Sequence, residues 1–314
     1  MNKKVVVLGG GTGLSTLLKG LKEFPIDISA VVSVSDDGRS TGKLKKEFGV
    51  NGVGDLRQVL VSLSKTSPLL EELFNYRFKT YSDLNEHTIG NLLLTALYDI
   101  KGNMRGAVDS FAEILNLEGK VLPLTLDNVT LMGKMSDGNI IEGESEITHY
   151  PGKVKDVFYK KTPRVNKEVI KEIKEADLIV LSMGSIYTSI VPNLICKEVV
   201  NAIDNSKAKV MYICNMMTQP GETDNFKASN HVKLLNKYLG NKKIDVVIAN
   251  NKRIKREILK KYESLEQKDE VKVDIKNLKD TKLLLDNLII IKDNMIRHDE
   301  LKLALNIFMY LYNK

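Results

Sequence analysis

Seven short apolar runs rich in β-branched residues recur along the chain, at 5–8, 28–34, 121–126, 178–182, 210–214, 244–249 and 288–291. They do not alternate with polar positions, so they predict strands buried on both faces, as in a parallel sheet covered by helices. Between most of them lie segments of 3.6-residue period, such as Leu14, Leu17, Leu18 and Leu21, or Leu56, Val59, Leu60 and Leu63, which predict amphipathic helices. This order of elements predicts an α/β fold with a doubly wound, Rossmann-like, mostly parallel sheet. Residues 121–160 break the rhythm, because 125–135, 140–149 and 154–159 read as short strands joined by turns such as Asp137-Gly138-Asn139. A small antiparallel β excursion is expected there, as an insertion in a single domain spanning 1–314.

Composition narrows the class. With 314 residues, 43% hydrophobic and 28% charged, the chain has the make-up of a soluble globular protein. It contains no apolar run of about 18 residues, and its first apolar stretch ends in glycines instead of a cleavage site. No membrane insertion and no secretion are expected. Cys196 and Cys214 show no metal or CxxC spacing and read as core residues of a reduced, cytoplasmic protein. The net charge is +7, and residues 252–282 supply over half of it, with eleven Lys/Arg against seven Asp/Glu. These charges alternate without interleaved aromatics, which predicts a solvated helix and loop and no nucleic-acid partner.

The most informative stretch is the strand end Val5-Val6-Val7-Leu8 running into Gly9-Gly10-Gly11-Thr12-Gly13-Leu14-Ser15. A glycine turn feeding a helix N-terminus aims backbone N–H groups and the positive end of the helix dipole at one point, which suits phosphate. The letters match neither a Walker loop, since Leu14 follows Gly13 where Lys is required, nor the G-x-G-x-x-G dinucleotide fingerprint in either register. A second strand, Gly/Ser loop and helix arrangement at Ser182-Met183-Gly184-Ser185 through Thr188 and Ser189 repeats the logic and favours a diphosphate ligand.

Other polar clusters follow strand ends or open helices. Asp36-Asp37-Gly38-Arg39-Ser40 offers one carboxylate for a ribose hydroxyl or an Mg²⁺-bridged phosphate and a second to cap a turn. Asp55 is expected to N-cap the helix that carries Leu56, and Arg57 reads as an anion ligand or a solvated side chain. His87 and Asn91 flank a helix start at Thr88, and the Asn91 amide needs partners because burying it unpaired costs about 1–3 kcal/mol. After 210–214, Asn215, Thr218, Gln219 and Thr223 suit the reading of a base or sugar, with Pro220-Gly221 placed for a type II turn. Arg297 is a spare cation, and Asp299 caps the last helix. No Ser-His-Asp order, paired catalytic carboxylates or metal cluster emerges.

These blocks together resemble the gluconeogenesis factor family, within the wider superfamily of 2-phospho-L-lactate transferase. They are Gly9 to Ser15, Ser35 to Gly38, Gly54 to Arg57, His87 to Asn91, Gly184 to Ile190 and Asn215 to Thr223. The resemblance implies a cytoplasmic Rossmann-like protein that binds a nucleotide, with UDP-sugars as ligand. It also implies an association with growth on gluconeogenic carbon sources, cell shape and wall synthesis, without an established reaction. Carried over by position, Gly10, Gly11, Thr12, Gly13, Leu14, Asp37, Asn91, Ser185, Thr188, Asn215, Thr218 and Gln219 would surround the ligand. Asp36, Arg39, Ser40, His87, Gly184 and Arg297 complete the expected nucleotide-binding set. Arg39 stands where the family often has glycine, which would strengthen a phosphate contact or narrow the cleft.

The expectation is a non-catalytic nucleotide-sugar sensor that regulates morphogenesis through a cell-wall protein partner. It would require no cofactor, with Mg²⁺ an option and a homo-oligomer allowed. The competing expectation is a phospho-acyl transferase of the 2-phospholactate type, using a nucleotide diphosphate conjugate and Mg²⁺. A dinucleotide-dependent oxidoreductase is a weaker third, given the missing fingerprint glycine.

Overall fold

The computed structural model describes residues 2–292 and 295–313. Seven strands form a wholly parallel sheet: β1 (Lys3–Gly9), β2 (Ile26–Val32), β3 (Lys120–Pro123), β7 (Leu178–Leu181), β8 (Lys209–Ile213), β9 (Val246–Asn250) and β10 (Lys282–Asp286). Between β3 and β7 the chain forms a second, antiparallel sheet from β4 (Leu131–Met135), β5 (Ile140–Glu142) and β6 (Val154–Tyr159), and β11 (Ile289–Lys292) pairs with β12 (Met295–His298) as a hairpin. Spatial order in the main sheet is β10-β9-β8-β7-β1-β2-β3. The chain therefore winds outward from β1 to β3, returns to the other flank of β1 as β7, and winds outward again. The topological switch point lies between β1 and β7, where ligand crevices of open α/β sheets form.

β1 shows why the strands are uniformly apolar. Val5 and Val7 enter one core with Leu14, Leu17, Leu18 and Leu21 of α1 (Gly11–Leu21), while Val6 and Leu8 enter a second core on the opposite face. All four β1 side chains are buried, and each contributes about 1.5–3 kcal/mol by leaving water. The first face is covered by α1, α3 (Val53–Leu63) and the C-terminal helix Glu300–Tyr312. The second is covered by the helices Lys167–Glu175 and Lys197–Asn205 and by the inserted sheet.

Three details differ from the sequence pattern. Val121, Leu122 and Pro123 pair with Ala30, Val31 and Val32 in the main sheet, so the antiparallel insertion begins at Leu131. The run expected as one strand over 140–149 ends at Glu142, because the Asp37 carboxylate accepts the Glu144 and Ser145 N–H groups and starts the helix Glu144–His149. The last parallel strand is β10, which opens on Lys282 at the end of the charged stretch, whereas the apolar run over 288–291 belongs to the hairpin.

Candidate functional site

A cavity of about 310 Å³ opens at the switch point. Thr12 and Gly13 of the β1–α1 turn, Met183 to Ser185 after β7 and Asn215 to Gln219 after β8 form its floor and sides. Tyr262, Glu266 and Lys268, together with Met295 to His298 of the hairpin, form its roof.

The glycine turn is built for close approach. Gly11 has φ +55°, a left-handed conformation that glycine adopts without steric cost. A Cβ on Gly13 would overlap the Met183 carbonyl oxygen, so this glycine lets the β1 and β7 loops touch. On the sheltered side of the turn, a Cβ on Gly10 would lie 2.6 Å from both Asp55 Oδ2 and Ser33 Oγ. Asp55 sits in the first turn of α3, whose N-cap is Gly52, and its carboxylate accepts the Gly11 N–H. Burial, reinforced by the charge of Asp36, pushes the Asp55 carboxyl well above the usual range.

The β7 loop repeats the device. Ser185 caps the π-helical turn Ile186–Ile190 by accepting the Thr188 N–H at 3.0 Å, and the Thr188 hydroxyl donates to the same oxygen at 2.7 Å. Ser185 Oγ donates to Glu222 at 2.7 Å, and Tyr187 N–H and Gln219 Nε2 donate to the same carboxylate at 3.1 and 2.9 Å. Burial pushes Glu222 up to about 7 against these bonds. Glu222 arrives there through the turn Gln219-Pro220-Gly221-Glu222, closed by a 3.1 Å bond from Glu222 N–H to the Gln219 carbonyl, with Gly221 at φ +75° as a type II turn requires. Each helix start read as a phosphate seat therefore carries an internal carboxylate on its sheltered side.

Asn215 fixes the mouth of the same loop. Its Nδ2 donates to the Gly184 carbonyl at 2.7 Å, so its Oδ1 faces the Tyr212 hydroxyl, which donates to it at 2.8 Å. The phenol has one proton, so His231, 2.8 Å away through Nδ1, donates to the phenol oxygen. Burial pushes His231 down to about 4, which keeps it neutral at ordinary pH. In the cleft roof, His298 is likewise lowered to about 4 by burial, and its Nε2 lies 3.3 Å from the Cys214 carbonyl.

A second polar cluster lies among α2 (Arg39–Phe48), α3 and the helix Ile89–Lys101. Arg57 Nε donates to Asn91 Oδ1 at 2.9 Å, Asn91 Nδ2 donates to Ser40 Oγ at 3.1 Å, and Ser40 meets His87 Nδ1 at 3.0 Å. Arg57, which also bonds Asn75, is buried and is lowered to about 10 by desolvation and then by the charge of Arg77. His87 is lowered by desolvation and by Lys43. Beside this cluster, Asp36 accepts the Thr41 hydroxyl at 2.7 Å and the Gly38 N–H at 3.1 Å. Glu144 accepts from Ser35 at 3.2 Å and is pushed well above its usual range by burial, then by Asp55 and Asp36.

The family model for 2-phospho-L-lactate transferase CofD matches residues 5–288, from β1 to the start of the hairpin. The chain is 44% identical over 306 residues to the gluconeogenesis factor of Bacillus subtilis, with 96% of each chain covered. It is 41% identical over 307 residues to that of Halalkalibacterium halodurans, covering 96% of this chain and 94% of the relative. This chain belongs to the CofD family and to the gluconeogenesis factors. A crystal structure of a Bacillus halodurans protein superposes with a TM-score of 0.94 at 40% identity, over 98% of this chain and 100% of the other. The sheet order and insertion described above are thus a CofD-family fold.

Within this CofD-family chain the structure divides the expected site residues into two groups. Thr12, Gly13, Gly184, Ser185, Asn215, Thr218, Gln219 and Arg297 line the cleft. Gly10 and Gly11 lie beneath it against Asp55, and Thr188 is buried behind Ser185. The Leu14 side chain is a core residue with 0% exposure. Asp36, Asp37, Ser40, His87 and Asn91 belong to the second cluster or its border and find their partners within the protein. Arg39 points to solvent, 3.6 Å from Glu86, and does not narrow the cleft. Asp55 does not cap α3, whose N-cap is Gly52, but turns its carboxylate to the Gly11 N–H, and Arg57 is buried against Asn91 and Asn75 instead of solvated.

Four residues lie outside the expected site set: Asp55 as partner of the glycine turn, Glu222 as the tie between two loops, and the roof residues Tyr262 and Lys268. The acid at the third position of the helix opening on Gly52 was the only local signal for Asp55. Among the described residues no three His, Cys, Asp or Glu side chains converge as a metal-binding set, and Asp36 and Asp37 are engaged by hydroxyl and backbone donors.

Proposed function

We propose that the chain is a regulatory protein that binds a UDP-sugar in the switch-point cleft. As a gluconeogenesis factor it would relay nucleotide-sugar level to cell shape and wall synthesis on gluconeogenic carbon sources, acting in the cytoplasm through a protein partner. One observation carries this reading: the cleft joins the backbone of Thr12 and Gly13 to the amide and hydroxyl groups of Ser185, Asn215, Thr218 and Gln219, with Arg297 and Lys268 as cations above. Main-chain N–H groups and cations suit a diphosphate, and amides and hydroxyls suit a base or sugar. Asp55 and Glu222 bond the buried sides of the two loops, and the Thr12–Gly13 edge opens to the cleft, where its N–H groups would meet the phosphate. The roof histidine, His298, is held neutral by burial and meets the Cys214 carbonyl through Nε2.

Isothermal calorimetry on the full chain with UDP-glucose, UDP-N-acetylglucosamine, GDP and NAD tests this. Binding of a UDP-sugar, weakened at least tenfold by Arg297→Ala, is the expected result. Tight GDP or NAD binding with no UDP-sugar heat would sink the proposal.

A second reading rests on the match to the 2-phospho-L-lactate transferase model: transfer of a phospho-acyl group from a nucleotide diphosphate conjugate. Turnover of such a conjugate, releasing the nucleoside monophosphate, would replace the sensor reading with this one.

A further inference from the structure

A second cavity, of about 770 Å³, adjoins the cleft. Arg253, Arg256 and Lys260 line one side, and Lys227 and Lys272 line the other. Phe226, Ile254 and Leu259 supply its apolar surface. All five cations are exposed, and among the described residues none is ion-paired. Glu263, Asp269 and Glu270 also border the groove, leaving a net charge of +2 over its lining. We propose that this groove docks an extended acidic segment of a partner protein, with alternating carboxylate and apolar side chains. Carboxylates would pair with the cations, and apolar side chains would cover the Phe226, Ile254 and Leu259 surface. Phe226, Ile254 and Leu259 set apolar surface between the cations, which the apolar side chains of a peptide cover and a phosphate backbone does not, and this favours a peptide over a nucleic acid.

The groove shares its walls with the cleft. The helix Arg256–Glu266 turns Arg256, Leu259, Lys260 and Glu263 to the groove and Tyr262 and Glu266 to the cleft. A backbone ribbon does the same, with Thr218 N–H donating to the Asp269 carbonyl at 2.8 Å and Val271 N–H to the Met216 carbonyl at 2.9 Å. Met216, Ile254, Tyr262 and Ile296 pack as one small core between the two cavities. A ligand that draws in Tyr262 and Glu266 therefore moves Arg256 and Lys260 on the same helix. This coupling, unlike the docking itself, rests on the function proposed above.

Fluorescence anisotropy on the full chain, using a labelled dodecapeptide of alternating Glu and Leu, tests the docking. The expected result is saturable binding that weakens with salt and falls at least tenfold in the double variant Arg256→Glu/Lys260→Glu and in Lys227→Glu on the facing wall. Folding of each variant is verified by circular dichroism, and Lys227→Glu decides if the double variant fails to fold. Absence of binding at 50 mM salt, unchanged affinity in the folded variants, or tighter binding of an oligouridine of equal charge overturns the proposal. Repeating the titration with saturating UDP-N-acetylglucosamine is expected to shift peptide affinity at least threefold. An unchanged value with nucleotide bound overturns the coupling alone. Absence of nucleotide binding by calorimetry overturns the coupling together with the proposed function and leaves the docking to stand or fall on the peptide titration.

Discussion

Glu222 ties the β7 loop to the β8 loop, and its carboxyl is raised from 4.5 to about 7 by burial. At 1.36 kcal/mol per pH unit, the fully ionised group costs about 3.4 kcal/mol relative to the unfolded chain. Because the folded state holds this proton more tightly, it binds more protons than the unfolded state between about pH 4.5 and 7, and its stability falls as pH rises through that window. From pH 5 to pH 8 the loss assigned to this one group is about 2.5 kcal/mol. Asp36, Asp55 and Glu144 are raised as well and act in the same direction, so the total slope cannot isolate Glu222. The difference between wild type and Glu222→Gln does, since glutamine stays neutral and keeps one oxygen for the Tyr187 N–H. Urea unfolding at half-unit steps from pH 5 to 8 is the assay. The variant is expected to be less stable than wild type at pH 5, where its Nε2 cannot accept the Gln219 Nε2 donor, and to gain on wild type by about 2.5 kcal/mol by pH 8. Parallel profiles would refute the assignment of a raised carboxyl to Glu222.

Three further substitutions probe separate parts of the account. Gly13→Ala drives a Cβ into the Met183 carbonyl; a loss of about 2 kcal/mol or more in urea unfolding, with nucleotide binding abolished in calorimetry, is expected, and wild-type values would mean that the two loops do not touch. Tyr212→Phe removes the donor to Asn215 and the acceptor for His231, at about 1–3 kcal/mol of stability and with weaker cleft binding; an unperturbed variant would contradict the relay. Arg39 holds φ +40° with only an exposed ion pair to Glu86, so Arg39→Gly is expected to keep or raise stability by up to about 1 kcal/mol in thermal unfolding, and a loss above that would show that the side chain has a structural partner.

Much of the fold was legible because parallel strands need both faces apolar, as the Val5 to Leu8 run shows at once. β10 was hidden because it is an edge strand whose residues are only partly buried and which opens on lysine, so it merged with the charged segment before it. The helix at Glu144 was hidden for a different reason: it is started by Asp37 from a distant part of the chain. The cleft floor could be read from the loops after β1, β7 and β8, since sheet topology alone gathers them. Its roof could not, because nothing local in Tyr262 or Lys268 says that the hairpin and a helix near the C-terminus fold back over the first turn. Asn91 and His87, both expected at the ligand, are buried polar groups. Their partners proved to be Arg57 and Ser40, which sequence cannot distinguish from a ligand.

The central claim is that the switch-point cleft, and not the Arg57–Asn91 cluster, receives a nucleotide diphosphate sugar. A crystal structure of the full chain with UDP-N-acetylglucosamine tests it most directly. The diphosphate is expected within hydrogen-bond distance of the Thr12 and Gly13 backbone and of Arg297, with the base or sugar against Asn215 and Gln219. A ligand seated instead between α2 and the helix Ile89–Lys101, with the cleft empty, would contradict it.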